Sequence, residues 1–179
     1  MSEGQFFKRL MFGGLFVLLC AMVIMVKLLP LDLQPGPLPT PDLVICLVVA
    51  WVIRRPDGLP VWLIAAVVFV SDLLLMQPPG LWTAIAIGAT EYLRRRHKRL
   101  QPLSVLAETG VFAALYTAMV GLNWLALTVT FADQPSLGAQ LLRMPVTVAA
   151  YPFVVLLCAV GLGLRKRPVP EGFGRGSAR

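Results

Sequence analysis

The sequence predicts an all-α polytopic membrane protein with six transmembrane helices and both termini in the cytoplasm. Three observations carry that prediction. Hydrophobic residues make up 58% of the chain and charged residues 14%, with a mean hydropathy of +0.78, whereas soluble domains run near 25% charged. At 179 residues, a soluble chain leaves too much of its surface wet to hide so many apolar side chains. The third observation is the distribution of Lys and Arg between the apolar runs, which alternates from one connection to the next.

Taken in order, the spans lie at about 10–27, 42–54, 59–76, 80–93, 105–131 and 144–164, inside a single transmembrane domain covering 1–167. The first follows Lys8 and Arg9 and is charge-free from 10 to 26, the lower limit for a crossing. It starts like a signal peptide. No small-x-small cleavage site surrounds Cys20 and Ala21, however, and Leu19 is too large to precede a lipoprotein cysteine, so it is read as an uncleaved helix. The second and fourth apolar runs, 43–53 and 81–93, cover only about 16–20 Å of a core roughly 30 Å thick. They must borrow flanking residues, thin the bilayer or sit inside the bundle. The third is interrupted only by Asp72, and the fifth and sixth carry long charge-free stretches.

Charge sets the orientation. Lys8 and Arg9 precede the first span, Arg54 and Arg55 follow the second, and Arg94, Arg95, Arg96, Lys98 and Arg99 follow the fourth. Arg165, Lys166, Arg167, Arg175 and Arg179 follow the sixth, so 14 of the 16 basic residues fall on one side. Only Lys27 and Arg143 fall on the other. The cationic side stays in the cytoplasm. Dropping either short span would move a basic cluster to the wrong face. The net charge of +7 therefore belongs to a rim against membrane lipids, where each basic residue contributes about 1 kcal/mol of attraction to an anionic leaflet. The basic cluster carries no interleaved aromatic platform, which argues against nucleic acid.

The first outer connection, 29–41, contains Pro30, Pro35, Pro37, Pro39 and Pro41, and reads as a stiff, non-helical strap. Pro41 suits the first turn of the second span, and Asp42 suits its N-terminus. Gln77-Pro78-Pro79-Gly80 joins spans three and four as a tight hairpin. The fifth connection, 132–143, has room for one short helix capped by Ser136, with Leu137, Leu141 and Leu142 on one face. Residues 168–179 read as a disordered cytoplasmic tail.

An ionised carboxylate at mid-bilayer costs roughly 2.5–3.5 kcal/mol on insertion scales, so Asp72, Glu91 and Glu108 each need a partner. Glu91 lies one turn from Arg94 and Arg95. Glu108 sits at the cytoplasmic start of span five, favoured there by the helix dipole, with the cluster at 94–99 as its expected ion partner. Asp72, in the outer third of span three, should face the bundle interior toward Thr83, Asn123 or Arg143. It reads as a helix-packing clasp, with a partner-contact or transport role as the competing assignment. His97 reads as solvated in the basic loop, and Cys20, Cys46 and Cys158 as small buried apolar side chains. With one histidine, no paired cysteines and no Gly-rich phosphate loop, the sequence presents no catalytic constellation, cofactor site or metal site.

The stretch from 41 to 96 resembles the MreD family of bacterial rod-shape-determining proteins. It opens Pro41-Asp42-Leu43 and closes the same span with Ala50-Trp51-Val52-Ile53-Arg54-Arg55-Pro56. Ser71-Asp72-Leu73-Leu74 follows, then Pro79-Gly80-Leu81-Trp82-Thr83-Ala84 leading to Glu91-Tyr92-Leu93. The family's phrases are similar: a Pro-Asp-Leu opening, an aromatic-basic-Pro end, a Gly-Leu-x-x-Asp-Leu element and a Gly-Leu-x-Ala turn. Here Phe69-Val70-Ser71 replaces the glycine element before Asp72, so close packing at that glycine is not carried over. The likeness spans about a third of the chain.

The resemblance implies a non-enzymatic inner-membrane component of the cell-elongation machinery. It implies association with an MreC-like protein and, indirectly, with the MreB filament, a RodA-type glycosyltransferase and a class B penicillin-binding protein. It also implies a fold similar to the six-helix substrate-binding subunits of some vitamin transporters. Pro41, Asp42, Arg54, Pro56, Asp72 and Gly80 match the family phrases and are the expected folding or partner-contact residues. Glu108 joins them on its own charge. The alternative function is a small-solute-binding membrane subunit of a transporter, with Asp72 and Glu108 in a polar path. An intramembrane enzyme is disfavoured because Asp72 lies at the opposite depth from Glu91 and Glu108.

Overall fold

The computed structural model describes residues 3–28, 40–55, 58–75, 78–130 and 137–161. Every regular element among them is helical and none is a strand. In chain order they are α1 (Glu3–Leu28), α2 (Leu43–Arg54), α3 (Val61–Leu74), α4 (Leu81–Arg95), the single turn α5 (His97–Leu100), α6 (Val105–Val129) and α7 (Leu137–Gly161). Three segments, within α1, α6 and α7, are long and apolar enough to cross a membrane: Met11–Leu28, Val105–Val129 and Gly138–Val160. The helices α2 and α3 are apolar but shorter.

The shortness of α2 has a structural counterpart. It is apolar around its whole circumference, and every residue from Val44 to Arg54 is buried, as expected of a helix with no polar face to offer solvent. It packs against α1, α4 and α7. The other long helices neighbour one another in the order α1, α3, α4, α6, α7, an arc around α2. Trp51 anchors the centre: it is fully buried, with the Phe16 ring of α1 edge-on at 5.4 Å. The arc's outer faces are lined by large apolar side chains, among them Leu18 and Met22 of α1, Leu106 and Leu125 of α6, and Phe153 and Val160 of α7. A water-facing surface rarely carries apolar patches of that extent.

Three boundaries depart from the sequence reading. The helix α1 begins at Glu3, ahead of the two basic residues that were to precede it. The short helix expected in the fifth connection is not separate: Leu141 and Leu142 lie within α7, which runs unbroken past Pro145 and Pro152. Packing against α2 and α6 holds that helix together where each proline removes one backbone hydrogen bond. Pro41 precedes the helix instead of opening it. Asp42 takes the N-cap position at φ −85°, ψ 75°, and the Pro41 carbonyl accepts from the Leu43 N–H at 3.1 Å. The Pro-rich strap up to Pro39, Ser136, Pro56 and the tail at 168–179 lie outside the described residues.

Among the described residues, Gly80 is the one turn position where backbone geometry demands glycine. It caps the N-terminus of α4 at φ +89°, a left-handed conformation that costs a Cβ-bearing residue roughly 1–2 kcal/mol.

Candidate functional site

Among the described residues, most of the buried polar side chains gather in three clasps. The first surrounds Asp42, just ahead of α2 and 6% exposed. Its N–H donates to Thr147 Oγ1 of α7 at 3.1 Å. Its carboxylate faces Lys27 of α1 at 3.5 Å and Arg143 of α7 at 3.4 Å, both longer than an optimal charge-assisted contact. Thr147 in turn donates to the Arg143 carbonyl at 2.8 Å, and Cys46 Sγ donates to the Thr147 carbonyl at 3.6 Å. Thus the two basic residues that fell outside the charge alternation converge on a single carboxylate. The sequence offers Arg143 as one of three alternative partners for Asp72; the structure gives it to Asp42.

The second clasp is Asp72, in the last turn of α3 and 1% exposed. Its Oδ2 accepts from the Thr83 hydroxyl at 2.7 Å and from the Thr83 N–H at 3.2 Å. Thr83 lies in the first turn of α4, where backbone N–H groups have no partner within their own helix. Asp72 therefore caps α4 from the neighbouring helix, a role usually taken by the residue just before the helix. Of the three partners expected for it, Thr83 is the one bonded.

The third clasp ties the opposite end of α2. Arg54, its last residue, turns back so that Nη1 donates to Glu108 Oε1 at 2.8 Å and to the Ala50 carbonyl at 3.1 Å. Tyr151 of α7 donates its hydroxyl to the same Oε1 at 2.7 Å, and its ring stacks on Phe112 of α6 at 4.1 Å. Glu108 is fully buried and Arg54 nearly so. Its ion partner is therefore Arg54, not the 94–99 cluster. Three of those arginines are engaged elsewhere: Arg94 bonds the Leu59 carbonyl, Arg95 pairs with Glu91 at 3.4 Å, and Arg96 lies over the Tyr92 ring at 5.0 Å. His97 is half-buried in α5, with Gln101 Nε2 at 2.9 Å from its Nε2.

Thr147, Tyr151 and Lys27 are site residues beyond the sequence expectations, and for the first two the sequence holds a signal. Asp42, Cys46, Ala50 and Arg54 recur every fourth residue, as do Arg143, Thr147 and Tyr151, and such spacing puts each set on one helix face. These are the faces that α2 and α7 turn toward each other. Beside the first clasp a small cavity is lined by Asp42, Ile45, Val68, Ser71, Trp82 and Arg143. Among the described residues, no three His, Cys, Asp or Glu side chains are grouped to hold a metal ion, and the three cysteines are free and buried.

Chemically, the clasps hold helices to one another: α1 to α2 and α7, α3 to α4, and α2 to α6 and α7. The class so defined is an all-helical membrane protein with a polar-stitched core and an apolar exterior. No family model, curated protein or solved structure matches the chain.

Proposed function

We propose that this chain is a six-span inner-membrane scaffold of the bacterial cell-elongation complex, the machinery that builds peptidoglycan along the cylinder of a rod-shaped cell. Both termini are cytoplasmic. It catalyses no reaction; it maintains rod shape by binding an MreC-like protein and, through it, the MreB filament, a RodA-type glycosyltransferase and a class B penicillin-binding protein. The observation that carries this reading is the ordered run of MreD-like phrases from Pro41 to Arg96. Residues matching those phrases occupy the clasps: Asp42 and Arg54 at the two ends of α2, and Asp72 beside the Gly80 turn. Such a bundle offers partners a rigid shape and apolar faces.

The charge pattern supports the topology. Lys27 and Arg143 share Asp42, so the face assigned to the outside keeps little unpaired positive charge. The two acids available to a solute path are occupied, Asp72 by Thr83 and Glu108 by Arg54 and Tyr151, which favours the scaffold over a solute-binding transporter subunit. Two experiments test the function. The full chain, affinity-purified from membranes, is expected to bring down an MreC-like protein, and its depletion is expected to turn rods into spheres. Rods that keep their shape after complete depletion would refute the reading.

A further inference from the structure

The basic run after α4 is sorted by the structure into inward-facing and outward-facing cations. Arg94 is turned inward onto the Leu59 carbonyl, closing the α3–α4 hairpin at the end opposite the Asp72–Thr83 clasp. Arg95 is exposed, with only Glu91 opposite it at 3.4 Å. Arg96 is exposed and lies over Tyr92, a ring itself 49% exposed. Lys98 and Arg99 are exposed and make no ion pair among the described residues. Among the described residues, four outward cations therefore share one ion pair, that of Arg95 with Glu91. Trp62, 69% exposed at the start of α3, lies three residues beyond the Leu59 carbonyl that Arg94 holds, so two amphipathic rings flank the same corner. Trp and Tyr concentrate where hydrocarbon gives way to headgroups, and clustered Lys and Arg at the cytoplasmic end of a spanning helix attract anionic lipid.

We infer that the corner formed by the end of α4, the α5 turn and the start of α3 is a binding surface for anionic phospholipid headgroups. Arg95, Arg96, Lys98 and Arg99 supply the phosphate contacts, and Tyr92 and Trp62 set the depth. Charge complementarity and the interfacial rings select lipid over an acidic protein or a nucleic acid, neither of which calls for aromatic rings at membrane depth. The surface rests on the six-span reading and is independent of the protein partners.

The test is native mass spectrometry of the full chain released from detergent, with phosphatidylglycerol and phosphatidylcholine supplied in equal amounts. Phosphatidylglycerol is expected to be retained in excess. Neutralising the four cations as Arg95→Gln, Arg96→Gln, Lys98→Gln and Arg99→Gln should weaken retention by about fivefold for each cation removed. A charge-keeping variant, with Lys in place of Arg95, Arg96 and Arg99, should bind nearly as the parent does, which separates loss of the surface from loss of folding. Equal retention of both lipids, or unchanged retention in the neutral variant, would overturn the proposal. So would equal loss in the charge-keeping variant, or capture of nucleic acid or acidic protein in place of lipid. Carbonate extraction of cell membranes is scored in parallel: release of the chain would instead count against the six-span reading itself.

Discussion

Arg54 and Glu108 lie 2.8 Å apart with side chains 4% and 0% exposed, so neither charge has water to fall back on. Removing one partner strands the other in a low-dielectric interior, a cost of about 3–5 kcal/mol. Arg54→Met is accordingly expected to lower the unfolding midpoint in mild detergent by that equivalent. Adding Glu108→Gln should recover part of the loss, since coupled neighbours interact by about 0.5–3 kcal/mol in such cycles. Strictly additive losses would show that the two do not act as a pair. Asp72 is a different case, because its bonds go to a hydroxyl and an amide and not to a cation. Asn keeps an acceptor at the same place, so Asp72→Asn should cost far less than Asp72→Ala, for which a lost cap predicts about 0.5–2 kcal/mol. Equal losses in the same unfolding assay would mean that the negative charge, and not the acceptor, is what α4 needs.

At the scale of elements, two glycines make opposite predictions. Gly80 adopts φ +89°, and an added Cβ would meet only the Phe69 ring, at 4.0 Å. Gly80→Ala should thus be destabilising by about 1–2 kcal/mol through backbone strain, not collision. Gly88 lies inside α4, where a new Cβ has no neighbour within 4 Å. Gly88→Ala should stabilise by about 0.5–1 kcal/mol, so the two variants are expected to move the thermal midpoint in opposite directions. The helices themselves were legible in the sequence because a run of apolar residues is a local property. Their neighbours were not. A run such as Val44–Ile53 is apolar on every side, and therefore has no polar face to say that α2 is central while α1, also strongly apolar, lies in the surrounding arc. Arg54 shows the same limit in a single residue: counting charge assigns every arginine to the rim, and only the fold reveals that this one turns back toward Glu108. Pro145 shows the opposite limit, since a local rule for helix breaking is outweighed by the packing of α7 against α2 and α6.

For the whole molecule, length and charge make different claims about how often the chain crosses. By length alone, among the described residues only segments of α1, α6 and α7 reach across a bilayer. A three-span protein of that kind would keep everything from the Pro-rich strap to the start of α6 on one side. The basic cluster at 94–99 would then share a face with Gly36, Arg54 and Arg55, and charge would turn that face to the cytoplasm. Lys8, Arg9 and Arg143 would be left outside, a 13-to-3 split against 14-to-2 for six spans, with the two termini on opposite sides. With six spans, α2, α3 and α4 also cross, and the short length of α2 is accommodated because it is enclosed by protein along its whole length and needs no match to the hydrocarbon thickness. Fusions of alkaline phosphatase, which is active only outside the cytoplasm, separate the two arrangements. A fusion near Gly36 is expected to be active and one near His97 inactive, with the reverse pattern for a fluorescent reporter that folds only in the cytoplasm. The same result at both positions, inactive or active, would put Gly36 and His97 on one side, reduce the bundle to three crossings and leave α2, α3 and α4 as an apolar assembly on that side.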